Sequence, residues 1–192
     1  NTAVGHQALF NNTTGTQNNA LGAASLYTNS TGSYNTSIGQ AAMYYNETGS
    51  NNTAVGDNAL FANTTGVQQV AFGSEALDAN TTGNYNAAFG HGALGANTTG
   101  TNNTALGTYA MPANTTASQN TTIGTGAGKN ATTPDDLTAV GYFAGGTGTM
   151  TGHDNTCMGT NALTAATSGA SNTVIGRDAG STITTGSGNT II

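Results

Sequence analysis

Charge is what this chain has least of. Charged residues make up 5% of it, against roughly 25% in an average domain. Lys129 and Arg177 are the only bases, and with eight acids they leave a net charge of -6. Phosphate recognition needs clustered Lys and Arg, so the composition excludes nucleic acid as a partner. The same shortage argues against binding to an anionic membrane through basic residues. No apolar run approaches the ~20 residues of a spanning helix, so no membrane insertion is expected. Cys157 stands alone, which excludes a disulfide framework and a zinc set. There is no tryptophan, there are only two prolines, and much of the 35% apolar share is alanine. A single compact core of Leu, Ile and Phe is therefore not expected. Disordered chains combine low hydrophobicity with high charge and weak pattern; here the charge is low and the pattern strict. The scarcity of Cys and Lys fits an extracellular protein, on a cell surface or a virion. No signal peptide is legible, and the chain starts in phase with its repeat and stops inside one. It reads as a mature product or a window on a longer chain.

What is present is glycine, asparagine and threonine in a fixed order. The anchor glycines are Gly5, Gly22, Gly39, Gly56, Gly73, Gly90, Gly107, Gly124, Gly141, Gly159 and Gly176. They fall at every seventeenth position, except for a single step of eighteen from Gly141 to Gly159. Before each glycine stands a large apolar residue (Val4, Leu21, Ile38 and so on to Ile175). One position earlier stands a small one, usually alanine. Three residues after the glycine comes alanine or serine, and four after it usually Leu or Met.

A coil of this length is too short for two helices and their turns, and Gly, Asn and Thr are poor helix formers. Thr-Ala-Val-Gly suits a short strand with Ala and Val on opposite faces. Asn-Thr-Thr-Gly suits a turn, with Gly supplying positive φ and Asn bonding its own backbone. These features predict an all-β fold, a parallel β-solenoid or β-roll with a seventeen-residue coil. Some eleven rungs at ~4.8 Å would make a rod on the order of 50 Å long. Residues 1–192 read as one solenoid domain, with regular Asn-Thr-Thr-Gly-type coils over 1–118 and divergent coils, including one insertion, over 119–192. The column Asn1, Asn18, Asn35, Asn52, interrupted by Gln69 and Leu137, predicts an amide ladder along the axis. The core of one coil reads as one large residue, one Leu or Met, and several alanines. That is thin against the ordering entropy of a coil. Neighbouring coils help, and the alternation of Ala and Val leaves one apolar column for a partner chain, pointing to a parallel oligomer.

Little here carries chemistry. His6 and His91 lie five coils apart, roughly 24 Å at the strand spacing, and read as solvent-exposed rather than as metal ligands. Asp135, Asp136 and Asp154 as a calcium loop are the weaker reading beside simple solvation. No acid pair has the spacing for glycosidase chemistry. No catalytic residue, metal or cofactor is assigned, and an enzyme is not expected. The aromatic column Phe10, Tyr27, Tyr44 and Phe61 reads as corner or interchain packing, with a carbohydrate-stacking strip as the alternative. The Asn-x-Thr/Ser sequons at Asn12, Asn29, Asn46, Asn63, Asn80, Asn97 and Asn114 read as turn chemistry rather than glycosylation sites. Cys157 falls in the small column and reads as a buried thiol.

Asn-Thr-Ala-Val-Gly followed three residues later by Ala resembles the head repeat of trimeric autotransporter adhesins of the YadA type. The longer form, Asn-Thr-Ala-Val-Gly-x-x-Ala-Leu-x-x-Asn-Thr-Thr-Gly, is similar to repeats of phage tail fibres and bacterial surface proteins. The resemblance covers essentially the whole chain and departs from the adhesin head in its longer period. It implies a parallel homotrimeric fibre, a structural and adhesive role in a phage tail fibre or bacterial surface appendage, and a cell-surface glycan or protein as receptor. The positions after the anchor glycine vary most, so receptor contact is expected at His6, Gln7, Asp57, Asn58, Glu75, His91, Tyr109, Tyr142, Arg177 and Asp178. An ice-binding solenoid with a threonine face is the alternative, from the columns beginning at Thr14 and Thr2. A polysaccharide lyase on a solenoid would need a carboxylate or basic cluster that the sequence lacks.

Overall fold

The computed structural model describes all 192 residues and contains twelve short strands and no helix. They are β1 (Thr2–Val4), β2 (Asn19–Leu21), β3 (Thr36–Ile38), β4 (Thr53–Val55), β5 (Val70–Phe72), β6 (Ala87–Phe89), β7 (Thr104–Leu106), β8 (Thr121–Ile123), β9 (Thr138–Val140), β10 (Thr156–Met158), β11 (Thr173–Ile175) and β12 (Thr190–Ile191). They form one parallel sheet in chain order, each strand bonded to its sequence neighbours. Partners lie one coil apart, as in Thr53↔Val70. Between β9 and β10 the register Thr138↔Thr156 absorbs the single longer step. The sheet passes through residues 118–119 unbroken, since β7 pairs β8 like any other rung.

A strand of three residues has one inward position and two outward ones. The inward position holds Ala20, Ser37, Ala54, Ala71, Ala88, Ala105 and their successors, all buried. The large residue before the glycine points out. Val4 is 55% exposed, Phe72 53% and Met158 41%. This corrects the expected core: the large residue is no part of it. The inside is too narrow, being already filled by Leu26, Met43, Leu60, Leu77, Leu94 and Met111 with the alanines three after each glycine.

Where that Leu column becomes glycine, volume returns from elsewhere. A Cβ on Gly128 would lie 3.1 Å from Thr122 Cγ2 and 3.6 Å from Leu137 Cδ2. On Gly145 it would meet Cys157 Sγ and Met150 Cε, both at 3.2 Å. Close packing is therefore kept through the divergent coils. Burial there pushes the Cys157 thiol up to about 12.

Two buried amide columns run the length of the regular coils. In the first, Asn35 Nδ2 donates to the Gly49 carbonyl (2.9 Å) and Asn35 Oδ1 accepts the Asn52 N–H (3.0 Å). This column mostly stitches backbone to backbone. Direct amide-to-amide bonds occur in it only late, as from Asn120 to Asn103 (2.9 Å) and Asn172 to Asn155 (3.0 Å). The continuous amide ladder lies instead in the Asn-Thr-Thr-Gly column: Asn46 donates to Asn29 (2.8 Å), Asn63 to Asn46 (2.6 Å) and Asn97 to Asn80 (2.9 Å). The second hydrogen of each of these amides reaches a residue three further on, as from Asn46 to the Gly49 carbonyl (3.0 Å). Apart from half-buried Asn12, the sequon asparagines from Asn29 to Asn114 are fully buried.

Candidate functional site

The anchor glycine sets the corner from which the candidate residues project. At Gly73 φ is +135°, and a Cβ would stand 2.7 Å from the carbonyl carbon and oxygen of Gly90 on the next rung. The next positions take an unusual path. Residues two and four after the glycine adopt left-handed backbone even when they are not glycine: Asn58 (φ 53°), Leu60 (54°), Glu75 (59°), Leu77 (53°) and Tyr109 (51°). Such a conformation costs about 1–2 kcal/mol per residue. Here it turns each peptide so that its N–H points along the rod. Asn58 N–H reaches the Gln40 carbonyl at 3.0 Å and Leu60 N–H the Ala76 carbonyl at 2.9 Å. One coil thus bonds to both neighbours without forming a second strand.

On this corner His6, Gln7, Asp57, Glu75, Tyr109, Tyr142, Arg177 and Asp178 are exposed, and Asn58 and His91 are half-buried. They form two adjacent lines along the rod rather than one cluster. Three local groups stand out. His91 Nδ1 donates to the Ser74 carbonyl (3.1 Å), which leaves Nε2 to accept the Tyr109 hydroxyl at 2.8 Å. The Tyr109 ring lies over Gly92, where a Cβ would be 2.7 Å away. Phe143 lies over Gly126 in the same manner, with Tyr142 edge-on at 4.6 Å and Lys129 Nζ 5.3 Å from its centroid. Asp178 accepts from Asn161 Nδ2 (2.9 Å) and pairs with the neighbouring Arg177 at 3.4 Å. This pair is largely exposed, so it adds little stability. Asp57, Asn58 and Glu75 share adjacent rungs, whereas His6 and Gln7 stand apart on the first coil.

The aromatic column is corner packing within one chain. Phe10–Tyr27, Tyr27–Tyr44 and Tyr44–Phe61 stack at 5.4, 4.9 and 5.5 Å, and Tyr45 sits edge-on to the last two. The rings cover one another's faces. A sugar strip would need those faces open. His153 Nδ1 accepts the Asp135 N–H (3.0 Å), and Asp135 Oδ1 accepts the Ser118 N–H (2.7 Å). Asp135 thereby caps one rung while His153 caps the next. No three His, Cys, Asp or Glu side chains converge, and the surface has no cavity.

The sequence expected an apolar column for a partner chain but not that the large residue before the glycine supplies it, on the outward face of the sheet. The two columns of that face are Thr2, Asn19, Thr36, Thr53, Val70, Ala87, Thr104 and onward, and Val4, Leu21, Ile38, Val55, Phe72, Phe89, Leu106 and onward. Neither column contains a charged residue in any strand. The hydroxyls of Thr2, Thr36, Thr53, Thr104 and Thr121 bond to nothing in the chain, unlike those of Thr13, Thr64 and Thr98, which bond to the next rung. The period-2 alternation was the available signal, once the narrow interior decides which side faces out. Comparison of the chain with family models, characterised proteins and solved structures returns no match.

Proposed function

We propose that this chain is a non-catalytic, rigid segment of an extracellular adhesive fibre, of the kind found in phage tail fibres or bacterial surface appendages. Copies of the chain associate, as a parallel homotrimer, through the outward sheet face, and the corner columns from His6 to Asp178 meet a cell-surface glycan or protein. The observation that carries this reading is an uncharged sheet face whose second column is apolar on every strand from β1 to β11. A contiguous apolar patch of this extent, with no charge among its residues, marks an interaction site. Nine of the eleven side chains in the column from Val4 to Ile175 are exposed, so the column presents several hundred Å² of apolar surface, the scale at which a patch marks an interface. A fibre also needs stiffness along its axis. Rung-to-rung bonds such as Thr53 N–H to the Gln69 carbonyl (2.9 Å) support that. Sedimentation equilibrium tests the reading: a trimer at micromolar concentration is expected, and a monomer refutes it.

The second reading, an ice-binding face, is favoured by one observation, the free strand hydroxyls repeating at the rung spacing. Asn19, Val70 and Ala87 interrupt that array. The two readings compete for one face, because a face buried between copies cannot order water. Thermal hysteresis in a chain that sediments as a monomer would decide for ice, and its absence would end this reading.

A further inference from the structure

The outward face is not uniform. In β1 to β4 and β7 to β11 the first outward residue is Thr or Asn and the second is Val, Leu, Ile or Met. Only β5 and β6 lack the polar member, with Val70 beside Phe72 and Ala87 beside Phe89. These are also the only strands with phenylalanine in the second column. The two changes occur together on the same two rungs, in the middle of the sheet.

Nothing within the rung requires this. The outward residues pack on no interior wall, and the other strands carry Val, Ile or Leu in the same backbone. Phe72 and Phe89 stack on each other at 6.4 Å with 23° between their planes, and they remain 53% and 38% exposed. Tyr85, two residues before β6, is 54% exposed. A threonine covered by a phenyl ring would lose its water and gain no partner. Loss of threonine where phenylalanine enters is therefore what a covered surface demands. The covering group must itself be apolar and uncharged, because the patch offers neither a charge nor a side-chain donor. A second copy of this face meets that description.

We infer that β5 and β6 are the anchor of self-association, with Phe72 and Phe89 of one copy seated on Val70 and Ala87 of the next. This deepens the fibre reading and rests on it. Copies pack parallel and in register, since that arrangement places the first outward column of one chain opposite the second column of its neighbour on the same rung. The short Ala87 side chain, between Val70 and Thr104 in its column, leaves the hollow that a phenyl ring fills. The polar threonines around the patch then form the rim that interface hot spots require.

Sedimentation equilibrium of three variants beside the unaltered chain tests this. Phe72→Ser with Phe89→Ser should raise the dissociation constant at least about 100-fold. Val4→Ser with Ile175→Ser, at the ends of the same column, should raise it less than about 10-fold. Val70→Thr with Ala87→Thr, which keeps both rings, should resemble the first pair. All six positions lie on the outward face, and unchanged circular dichroism establishes that each variant folds. Equal losses from centre and ends overturn the anchor while leaving the fibre reading intact. A monomeric unaltered chain overturns both.

Discussion

Asn63→Ala tests whether the buried amide ladder holds the rungs together. Asn63 Nδ2 donates to Asn46 Oδ1 at 2.6 Å and to the Gly66 carbonyl at 3.0 Å, while its Oδ1 accepts from Asn80 Nδ2 at 3.1 Å. Removing the amide breaks all three bonds, but they do not count equally. The Gly66 carbonyl keeps the Asn52 amide at 2.9 Å, so it remains paired. Asn46 Oδ1 and one hydrogen of Asn80 Nδ2 lose their partners, and both residues are fully buried. An orphaned buried polar atom costs about 1–3 kcal/mol. The two together predict a loss of about 2–6 kcal/mol. Urea denaturation at one fixed protein concentration measures it, because self-association would add apparent stability that varies with concentration. Thr65→Ala, two residues away and exposed, is the control and should stay within about 0.5 kcal/mol of the unaltered chain. A loss below about 1 kcal/mol for Asn63→Ala would refute the ladder as a source of stability.

Thr122→Val should stabilise the chain by about 1 kcal/mol or more, because Thr122 Oγ1 is buried with no partner and valine fits the same volume; thermal melts check it, and no gain would mean the hydroxyl is satisfied. Asp78 titrates above its ordinary 3.8, chiefly through burial and then through Glu75. A carboxyl raised in this way contributes stability that is complete below its unfolded value and lost as pH rises through the folded one. Asp78→Asn should therefore raise the melting temperature at about pH 7, with the gap closing in scans below about pH 4. Gly73→Ala should destabilise by at least about 3 kcal/mol, since φ of +135° is strained for alanine and its Cβ would enter the Gly90 peptide. Hydrogen exchange should show the opening centred on β5 and β6, and a uniform increase along the rod would contradict the local clash.

Much of the architecture was legible because a solenoid writes each structural role as a column. The strand, the corner glycine and the one longer step all follow from spacing alone. The side of the strand that faces inward was harder, because Ala and Val are both apolar; interior volume decides, and volume belongs to the closed coil. The left-handed backbone at Leu60 and Leu77 was also hidden, since leucine rarely adopts it. A signal did exist: Gly128, Gly145 and Gly180 fall in the Leu column, and Gly92 and Gly126 fall two after the anchor. Glycine in those places marks positive φ. The same glycines explain the candidate surface, where Tyr109 and Phe143 lie across Gly92 and Gly126 of the preceding rung. The Asn-Thr-Thr-Gly asparagines read as turn residues because a turn and a ladder ask for the same side chain. Only the inward direction of the side chain separates them.

The pairing of each strand with its sequence neighbours has a mechanical consequence. Every strand bonds only to the strands of the coils before and after it, and none touches one further along the chain. Pulled by its ends, such a molecule has no tie that bypasses a coil, so coils release one after another from the loaded end. A freed coil stretches from ~4.8 Å of rod to roughly 58 Å of extended chain at ~3.4 Å per residue. Each release lengthens the tether about twelvefold locally, in steps of about 50 Å. A segment that is a stiff spacer at rest thus becomes a shock absorber under load.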